Sequence, residues 1–354
     1  MSDFEAVAFA KLPREAYTYT AYGAEGEFTL RRNRQAFDWV EFVPRGVVDV
    51  SAVETSLNVL GTAMAYPIFV SPSSVHADLH PGGEAATHQG ATAANTPMMV
   101  SYNASFTKEK IAAAATGPLW FQLYPLQDLA ETKEWIDDAQ ENGARAIILT
   151  VDQQASYYER AIHDRHLNAP PGGGLAARLA AARRARSGGA AKPGNPYRVP
   201  DGRLWYNWKY FEQVKSMLRV PLVAKGILTG EDAKICLDHG ADAVYVSNHG
   251  GRSLDYGPST IEVLMEIADA VQGRVPVLTD SGFRSGVDIL KALALGATAV
   301  CIGRGIRWGL AAYGAAGVQR VLEILQGELV QAMAVTGRPT LRSVDRTLVR
   351  ANFA

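Results

Sequence analysis

The 354-residue chain lacks an excess of either charge, is poor in cysteine and contains no long apolar run. Its 35 basic and 36 acidic residues leave a formal net charge of −1, so no global field attracts nucleic acid or an anionic membrane. The two cysteines, Cys236 and Cys301, fit buried, reduced thiols better than a disulfide or metal framework. Because no segment is long enough to span a bilayer and the N-terminus has no apolar signal region, we predict a cytoplasmic protein that binds a small molecule.

Eight short apolar runs alternate with helical, often Ala-rich stretches along most of the chain. Apolar strands separated by amphipathic helices are typical of a parallel sheet covered on its outer face, and eight such units close a barrel. The pattern therefore predicts an α/β fold, a (β/α)8 or TIM barrel. An open doubly wound sheet is the alternative, but it would be expected to carry a GxGxxG turn after an early strand, and we find none. The predicted strands are 67–71, 98–101, 120–124, 146–152, 221–226, 243–250, 276–282 and 299–304.

A single domain is expected to cover residues 1–354, with an N-terminal cap over 1–66 and the barrel over 67–354. Within the barrel, residues 166–200 after the fourth strand are rich in Ala, Gly, Pro and Arg and too poor in large apolar groups to pack firmly. We expect a flexible lid there. A basic helix that touches a membrane is the less favoured alternative, because few large apolar side chains would anchor it, and no stable membrane anchor is predicted.

Polar side chains stand at the end of nearly every predicted strand. The C-terminal strand ends of a (β/α)8 barrel form its active face, so their convergence favours a chemical site over unrelated capping roles. The other histidines lie at irregular spacings without an HExxH or cysteine pattern, which predicts no metal site. The strand-end residues are Ser71, Ser73, Ser101, Gln122, Tyr124, Thr150, Asp152, Lys225, Ser247, His249, Asp280 and Arg304.

Two glycine-rich turns, TDSGFRSG (279–286) and IGRG (302–305), follow the seventh and eighth strands. Barrels commonly bind phosphate at this position through backbone N–H groups and a helix N-terminus. Arg284 or Arg304 can add a bidentate contact. The two turns therefore predict a phosphate-binding site.

The segment SNHGGRSLD (247–255) places His249 on a glycine-flanked turn, with Arg252 three residues further on. A base beside a cation that holds a carboxylate suits chemistry at the carbon next to that carboxylate. Asp152 can orient and stabilise a protonated imidazole if the fourth and sixth strands come close. The segment therefore predicts His249 as a general base.

Several longer segments together carry a family resemblance: KLPREAYTYTAYGAEGEFTLRRNRQAF, WFQLY, LTVD, LVAKGILTGEDA, SNHGGRSLDYGPST and DSGFRSGVDILKALALGATAVCIGR. In these segments the chain resembles the FMN-dependent 2-hydroxy acid oxidases and dehydrogenases, over nearly its whole length except 166–200. The resemblance implies the same barrel, FMN as cofactor, His249 as catalytic base with Asp152 as its partner, Tyr124 near the substrate oxygen and Arg252 on the substrate carboxylate. The implied flavin contacts are Pro72, Ser73, Ser74, Ser101, Gln122, Thr150, Lys225, Ser247, Asp280, Gly282, Arg284, Gly303 and Arg304.

The chain departs from the family pattern at four places. A tyrosine that helps to bind the substrate carboxylate aligns with Thr20 and a bulky tryptophan aligns with Asn103, so both positions are expected to widen the substrate pocket. The family's second arginine is assigned to Arg160, with Arg165 as the alternative. The first-strand motif reads SPSS, which puts Ser74 where the family has a small residue facing flavin N5.

These features predict oxidation of an (S)-2-hydroxy acid, mandelate or 4-hydroxymandelate, to the 2-keto acid, with dioxygen reoxidising FMN and releasing hydrogen peroxide. A dehydrogenase that passes electrons to a quinone or cytochrome and an oxidase for an aliphatic 2-hydroxy acid are the alternatives. A non-catalytic flavin-binding barrel is a remote alternative, because mere binding needs no base. The family resemblance also predicts a homo-oligomer, a tetramer.

Overall fold

A computed structural model of the protein describes residues 1–153 and 206–353. The elements ahead of the barrel begin with two helices separated by Pro13, whose fixed φ suits the residue before a helix. A short hairpin follows later and ends just before the first barrel strand. These elements are α1 (Ser2–Lys11), α2 (Arg14–Ala21), α3 (Phe28–Gln35), β1 (Val40–Phe42), and the antiparallel pair β2 (Leu57–Val59) and β3 (Thr62–Met64).

Eight parallel strands then close into a barrel, in the spatial order β10-β11-β4-β5-β6-β7-β8-β9. Each of the eight predicted strands has its observed counterpart, so the predicted (β/α)8 barrel is confirmed. The strands are β4 (Ile68–Val70), β5 (Met98–Val100), β6 (Leu119–Leu123), β7 (Ala144–Thr150), β8 (Leu222–Ile227), β9 (Ala243–Val246), β10 (Val277–Thr279) and β11 (Ala299–Ile302).

Helices cover the outer face of this barrel. The last of them is interrupted at Tyr313 and Gly314, where the backbone leaves helical geometry. After it, β12 (Val349–Ala351) pairs antiparallel with β1, so a strand of the N-terminal cap meets a strand that follows the barrel. The helices are α4 (Gly83–Ala93), α5 (Lys108–Ala112), α6 (Leu129–Glu141), α7 (Trp208–Met217), α8 (Gly230–Asp238), α9 (Thr260–Val271), α10 (Gly286–Ala294) and α11 (Arg304–Val335).

Successive side chains on each barrel strand point to opposite faces. One face fills the barrel interior, and the other packs against the surrounding helices. Inside, Phe69 and Trp120 contact each other with ring centroids 4.7 Å apart. The β2–β3 hairpin closes the lower end, where the Trp120 indole donates to Thr62 Oγ1 at 2.9 Å. Cys236 and Cys301 are free and buried, as predicted. In the described parts of the chain, no helix is long and apolar enough to cross a bilayer.

Helix α3 is fastened to the segment that follows β9 by buried polar contacts. Asn33 and Asn248 exchange two side-chain hydrogen bonds, Nδ2 to Oδ1, of 3.0 and 2.7 Å. Arg32 makes a bidentate pair with Glu262, with both N···O distances 2.7 Å. Asp255 accepts from the backbone N–H of Gly26 and Thr29. The N-terminal part of the chain therefore helps to fix the segment 248–262.

We predict that Asn33→Ala destabilises the fold by about 1–3 kcal/mol, because the buried amide of Asn248 then loses a partner it cannot replace with water. Denaturant unfolding measures this change. The exposed residue Asn352 supplies the control, since Asn352→Ala is expected to fall within about 0.5 kcal/mol of the wild type. Equal stability of the Asn33→Ala and Asn352→Ala proteins would contradict the prediction.

Candidate active site

The barrel mouth carries a layer of polar side chains, each two positions beyond a residue that fills the barrel core. Since side chains on a strand alternate between its two faces, this spacing points both members of a pair to the barrel interior. Phe69 precedes Ser71 in this way, and Trp120 precedes Gln122. The buried members of the layer are Ser71, Ser101, Gln122, Thr150, Lys225, Ser247 and Asp280.

Two of these buried side chains have a polar atom without a hydrogen-bond partner among the described residues. The Gln122 Oε1 atom accepts from Tyr102 N at 3.1 Å and Ser101 Oγ at 3.3 Å, which turns the Nε2 donor away from them, and Nε2 has no partner. The Thr150 hydroxyl is likewise unpaired. An unsatisfied buried polar group costs about 1–3 kcal/mol, so the layer is suited to a polar ligand that supplies the missing partners.

His249 is held in a strained backbone conformation at this mouth. Its φ of 58° lies in the left-handed region, which few non-glycine residues adopt. Gly250 and Gly251 continue the turn with positive φ, and a Cβ at Gly251 would lie 2.7 Å from the backbone of Leu30. Glycine is therefore required where the turn meets α3. Such strain is concentrated at functional sites.

The imidazole of His249 faces the carboxylate of Asp152, with Nδ1 at 3.0 and 3.2 Å from its two oxygens. Burial raises the pKa of Asp152, but the charges of His249 and Lys225 and the hydrogen bond from His249 more than offset it, so this pKa lies below its usual range. An ionised carboxylate only accepts, so Nδ1 carries the proton and Nε2 is left as a base. The Gln153 amide nitrogen lies 3.5 Å from Nε2.

A cleft of about 520 Å³ near this mouth is lined by arginines, among them Arg34, Arg284 and Arg304. The Arg304 guanidinium donates to the carbonyls of Thr20 at 2.9 Å and Gly250 at 2.8 Å, which are neutral partners. Burial first, and then the charges of the neighbouring arginines against the opposing charge of Glu5, together lower the pKa of Arg304 to about 9. Crowded positive charge of this kind favours a bound anion, and a phosphate accepts bidentate guanidinium contacts.

The turn after β10 and the start of α11 complete this region. Asp280 accepts from Tyr245 Oη at 2.9 Å and from Ser281 Oγ at 2.8 Å, so its carboxylate is held at the top of the barrel core. Gly282 has a φ of 88°, and a Cβ there would lie 2.1 Å from the carbonyl oxygen of Asn33. Gly303 is the N-cap of α11. The predicted phosphate turns thus lie against the N-terminal part of the chain.

Arg252 is bound to the same N-terminal part. Its Nη1 donates to the carbonyl of Tyr19 at 2.6 Å and of Tyr22 at 2.8 Å, and its guanidinium carbon lies 4.8 Å from the Tyr19 ring centroid. The Tyr19 hydroxyl in turn lies 2.7 Å from Ser74 Oγ. Tyr19, Ser74 and Arg252 therefore form one cluster.

This cluster corrects the prediction that Thr20 opens the substrate pocket. Thr20 is buried against α11, where its hydroxyl accepts from Arg307 Nε at 3.0 Å and donates to Ala16 O at 3.2 Å. Neighbouring residues on a helix differ by about 100° in direction, so Tyr19 reaches the cluster and Thr20 does not. The alternation of Tyr and Thr in YTYT is the sequence signal that could have placed Tyr19 at this position.

Other predicted residues are placed as follows. Tyr124 is buried, with its ring centroid 6.2 Å from that of Tyr102. Asn103 joins two mouth loops through its backbone, whose carbonyl accepts from Val75 N at 3.1 Å and whose N–H donates to Ser101 Oγ at 3.2 Å. Arg160, Arg165 and the expected lid 166–200 lie outside the described residues. Among the described residues no cluster of histidine, cysteine or acidic side chains is suited to a metal.

Comparison with known proteins identifies the family. The model of a family described as FMN-dependent dehydrogenase matches residues 8–351. The chain belongs to the FMN-dependent dehydrogenase family. Two predictions are thereby confirmed: FMN is the cofactor, and the protein is an enzyme of the 2-hydroxy acid oxidase family.

Relatives of this FMN-dependent dehydrogenase include plant enzymes and proteins of known structure. The peroxisomal (S)-2-hydroxyacid oxidase GLO3 of Arabidopsis thaliana is 39% identical over 350 residues, which cover 99% of this chain and 96% of the relative. The glycolate oxidase of Spinacia oleracea is 36% identical, covering 100% and 96%. A crystal structure of mandelate oxidase superposes with a TM-score of 0.87 at 36% identity, covering 99% and 97%.

The described residues of this FMN-dependent dehydrogenase fit the cofactor. The unpaired Gln122 amide and Thr150 hydroxyl, with the buried Lys225 ammonium beside them, suit the carbonyl and nitrogen edge of a flavin ring. The crowded arginines Arg284 and Arg304 suit its phosphate. These two halves of the site therefore match the two polar ends of FMN.

We predict that Asp152→Asn slows flavin reduction by about 10²–10⁴-fold, the range for loss of general-base function. An amide cannot stabilise a protonated imidazole as a carboxylate does. Because the pKa of Asp152 is lowered, its stabilising charge is present above the unfolded-state pKa of about 3.9 and is lost only as pH falls through the folded value. Between pH 5 and 8 Asp152 stays ionised in the wild type, whereas the amide of the variant gains no charge at any of these pH values. Raising the pH should therefore not rescue the variant.

Anaerobic stopped-flow reduction across pH 5–8 measures this effect, with the exposed Asp49→Asn as the matched control. A variant that reduces its flavin at the wild-type rate, or recovers that rate at pH 8, would show that His249 does not depend on Asp152.

We predict opposite effects of Arg284→Gln on the apoprotein and on FMN binding. The loss of a charge-assisted hydrogen bond should weaken FMN affinity by about 1.5–3 kcal/mol. Burial and the charge of Arg34 lower the pKa of Arg284, so the apoprotein should unfold at the same or a higher temperature once this charge is removed. FMN titration and thermal unfolding measure the two effects, and the exposed Arg320→Gln is the control. Unchanged FMN affinity would remove Arg284 from the anion site.

Proposed function

We propose that this enzyme oxidises an aryl (S)-2-hydroxy acid, mandelate or 4-hydroxymandelate, to the 2-keto acid, with dioxygen as the final acceptor and hydrogen peroxide as the second product. The observation that carries this proposal is the His249–Asp152 pair at the barrel mouth. His249 Nδ1 lies 3.0 and 3.2 Å from the two carboxylate oxygens of Asp152, and Lys225 is buried beside them. A barrel that only bound flavin would need no such paired base.

His249 Nε2 takes the proton that the substrate loses, and Asp152 stabilises the imidazolium that results. The proton comes from the α-carbon or from the hydroxyl, and in either case the substrate also gives up a second proton and two electrons, so that two protons and two electrons leave in all. FMN, when bound, supplies the two-electron acceptor, which dioxygen regenerates. Lys225 would supply positive charge beside the polar edge of the flavin ring. The same edge would give Gln122 and Thr150 the hydrogen-bond partners that they lack.

Arg252 and Tyr19 bind the substrate carboxylate in this proposal. The Arg252 guanidinium stands over the Tyr19 ring and is fixed through Nη1 by two backbone carbonyls. Fixing one end of a guanidinium limits the side-chain freedom lost on binding. Tyr124 donates to the substrate oxygen, and Arg160, outside the described residues, is proposed as the second carboxylate contact.

The cofactor contacts follow the mouth of the barrel. The hydroxyls and backbone of the SPSS loop line one side of the ring, and the turns after β10 and β11 hold the ribityl chain and phosphate through Asp280, Gly282, Arg284, Gly303 and Arg304. The geometry supports this assignment because Asp280 is anchored by Tyr245 and Ser281. Ser247 supports the base itself, since its Oγ accepts from His249 N at 3.1 Å.

The preference for an aryl acid rests on Asn103, since Thr20 does not reach the site. A small, polar side chain there leaves room where a bulky tryptophan would stand, and the mandelate oxidase structures at 34–36% identity support a ring-bearing substrate. Tyr19 favours a second candidate, an aliphatic acid such as glycolate or lactate. The glycolate oxidase of Spinacia oleracea, at 36% identity, carries a name of that class.

Electron transfer to a quinone or cytochrome is the alternative to dioxygen. Ser74, at the position expected to face flavin N5, is hydrogen-bonded to Tyr19 and so differs from an inert small residue. Readmission of air to the substrate-reduced enzyme separates the two, because an oxidase regains its yellow colour within seconds and releases hydrogen peroxide. The homo-oligomeric assembly and the cytoplasmic location stay predictions.

We predict that kcat/KM for mandelate exceeds that for glycolate or lactate by at least a hundredfold, because a buried aryl ring adds apolar area that transition-state binding can use. Asn103→Trp should depress mandelate turnover by steric exclusion and spare lactate turnover. Asn103→Ala removes the amide without filling the space and is the matched control. Steady-state kinetics with both acids on the three proteins measures these effects.

Two outcomes would contradict the aryl proposal. One is a higher kcat/KM for glycolate than for mandelate in the wild type, which would favour the aliphatic candidate. The other is an equal loss on both acids in Asn103→Trp, which would mean that the position serves packing and not recognition of the ring.

A further inference from the structure

His76 is fully buried behind the loop that follows β4 and takes no part in the chemistry described above. Its Nε2 lies 2.7 Å from Ser73 Oγ, and its Nδ1 lies 2.8 Å from Thr87 Oγ1 on α4. Its backbone N–H donates to Glu84 Oε1 at 3.0 Å. The ring is therefore fixed at both nitrogens and at its own backbone.

The tautomer of His76 follows from its partners. The Thr87 hydroxyl donates its single proton to the carbonyl of Gly83 at 3.2 Å, so towards His76 it can only accept. On this ground we assign the imidazole proton to Nδ1. Nε2 is left with a lone pair, which accepts the hydroxyl proton of Ser73.

The charge state agrees with this assignment. Burial lowers the pKa of His76 to about 4, with Glu84 opposing and Arg307 adding to the effect. The ring is neutral at neutral pH, and a neutral imidazole has one donor and one acceptor nitrogen. The Ser73 proton therefore stays directed at His76.

We propose that His76 is a positioning residue for the flavin site: it holds the Ser73 hydroxyl proton, so that Ser73 turns only oxygen lone pairs towards FMN. An unconstrained serine hydroxyl pairs equally with a carbonyl or an N–H group. With its proton committed, Ser73 selects an N–H donor of the flavin ring and rejects a carbonyl. The proposal rests on the proposed contact between Ser73 and FMN, and not on the identity of the substrate.

A double-mutant cycle tests this arrangement with Ser73→Ala, His76→Asn and both together. An asparagine at position 76 keeps an amide near Thr87 but is too short to reach Ser73. His76→Gln is the rescue variant, since its Oε1 extends far enough to accept from Ser73. The readouts are the FMN dissociation constant of each apoprotein, from fluorescence quenching, and the visible absorption spectrum of the bound flavin.

We expect Ser73→Ala to raise the FMN dissociation constant by about 3- to 10-fold, the effect of one hydrogen bond. His76→Asn should raise it by less, because the freed Ser73 hydroxyl can still accept from an N–H group but is no longer held in that orientation. The double variant should bind FMN no more weakly than Ser73→Ala alone, because His76 acts on FMN only through the Ser73 hydroxyl. The flavin spectrum should shift in the same direction in both, and His76→Gln should stay close to the wild type. A merely structural histidine would change the unfolding temperature and leave the spectrum unaltered.

Independent, multiplying losses in the double variant would overturn the proposal. So would wild-type FMN affinity and spectrum in either Ser73→Ala or His76→Asn. None of these readouts uses a hydroxy acid, so a wrong substrate assignment leaves them unaffected, and a failure here leaves the kinetic comparison of mandelate with lactate intact.

Discussion

The period-two alternation of a barrel strand is the constraint on which the site depends. A strand that must point an apolar residue into the barrel core also points the residue two places later to the same side, one layer higher. Repeated around a closed barrel, that rule turns a packing requirement into a ring of polar groups. Met99 with Ser101 and Val223 with Lys225 show the pairing. The rigidity of the site is therefore inherited from the packing below it.

Electrostatics divide this ring into two halves. On one side, Asp152 and Lys225 surround the base with paired charge, and the pKa of Asp152 is lowered accordingly. On the other side, Arg284 and Arg304 donate to backbone carbonyls, and the pKa of Arg304 falls to about 9 as burial and like charges act together. The first half is balanced within the protein, whereas the second half is suited to a bound anion. A cofactor with a neutral ring at one end and a phosphate at the other suits both.

Much of this was predictable because it is written in short-range patterns. The eight strands show as apolar runs, and the polar layer shows as the residue types that end them, so the position of Gln122 and His249 at the barrel mouth was predictable without a structure. Directions on a helix are harder to read, because a shift of one residue turns a side chain by about 100°. Tyr19 was missed for that reason. His76 was also set aside, since its role depends on partners from two separate elements that no spacing reveals.

The pairing of β1 with β12 joins residues near the two ends of the chain, Val40 opposite Ala351 and Phe42 opposite Val349. Contacts between such distant segments give a protein a high contact order and slow its folding. During synthesis the N-terminal helices leave the ribosome well before the segment 248–262 that Asn33 and Arg32 contact, and β12 emerges later still. The earliest part of the chain must therefore wait with its apolar faces uncovered, a state in which chaperones and nascent-chain aggregation compete for it.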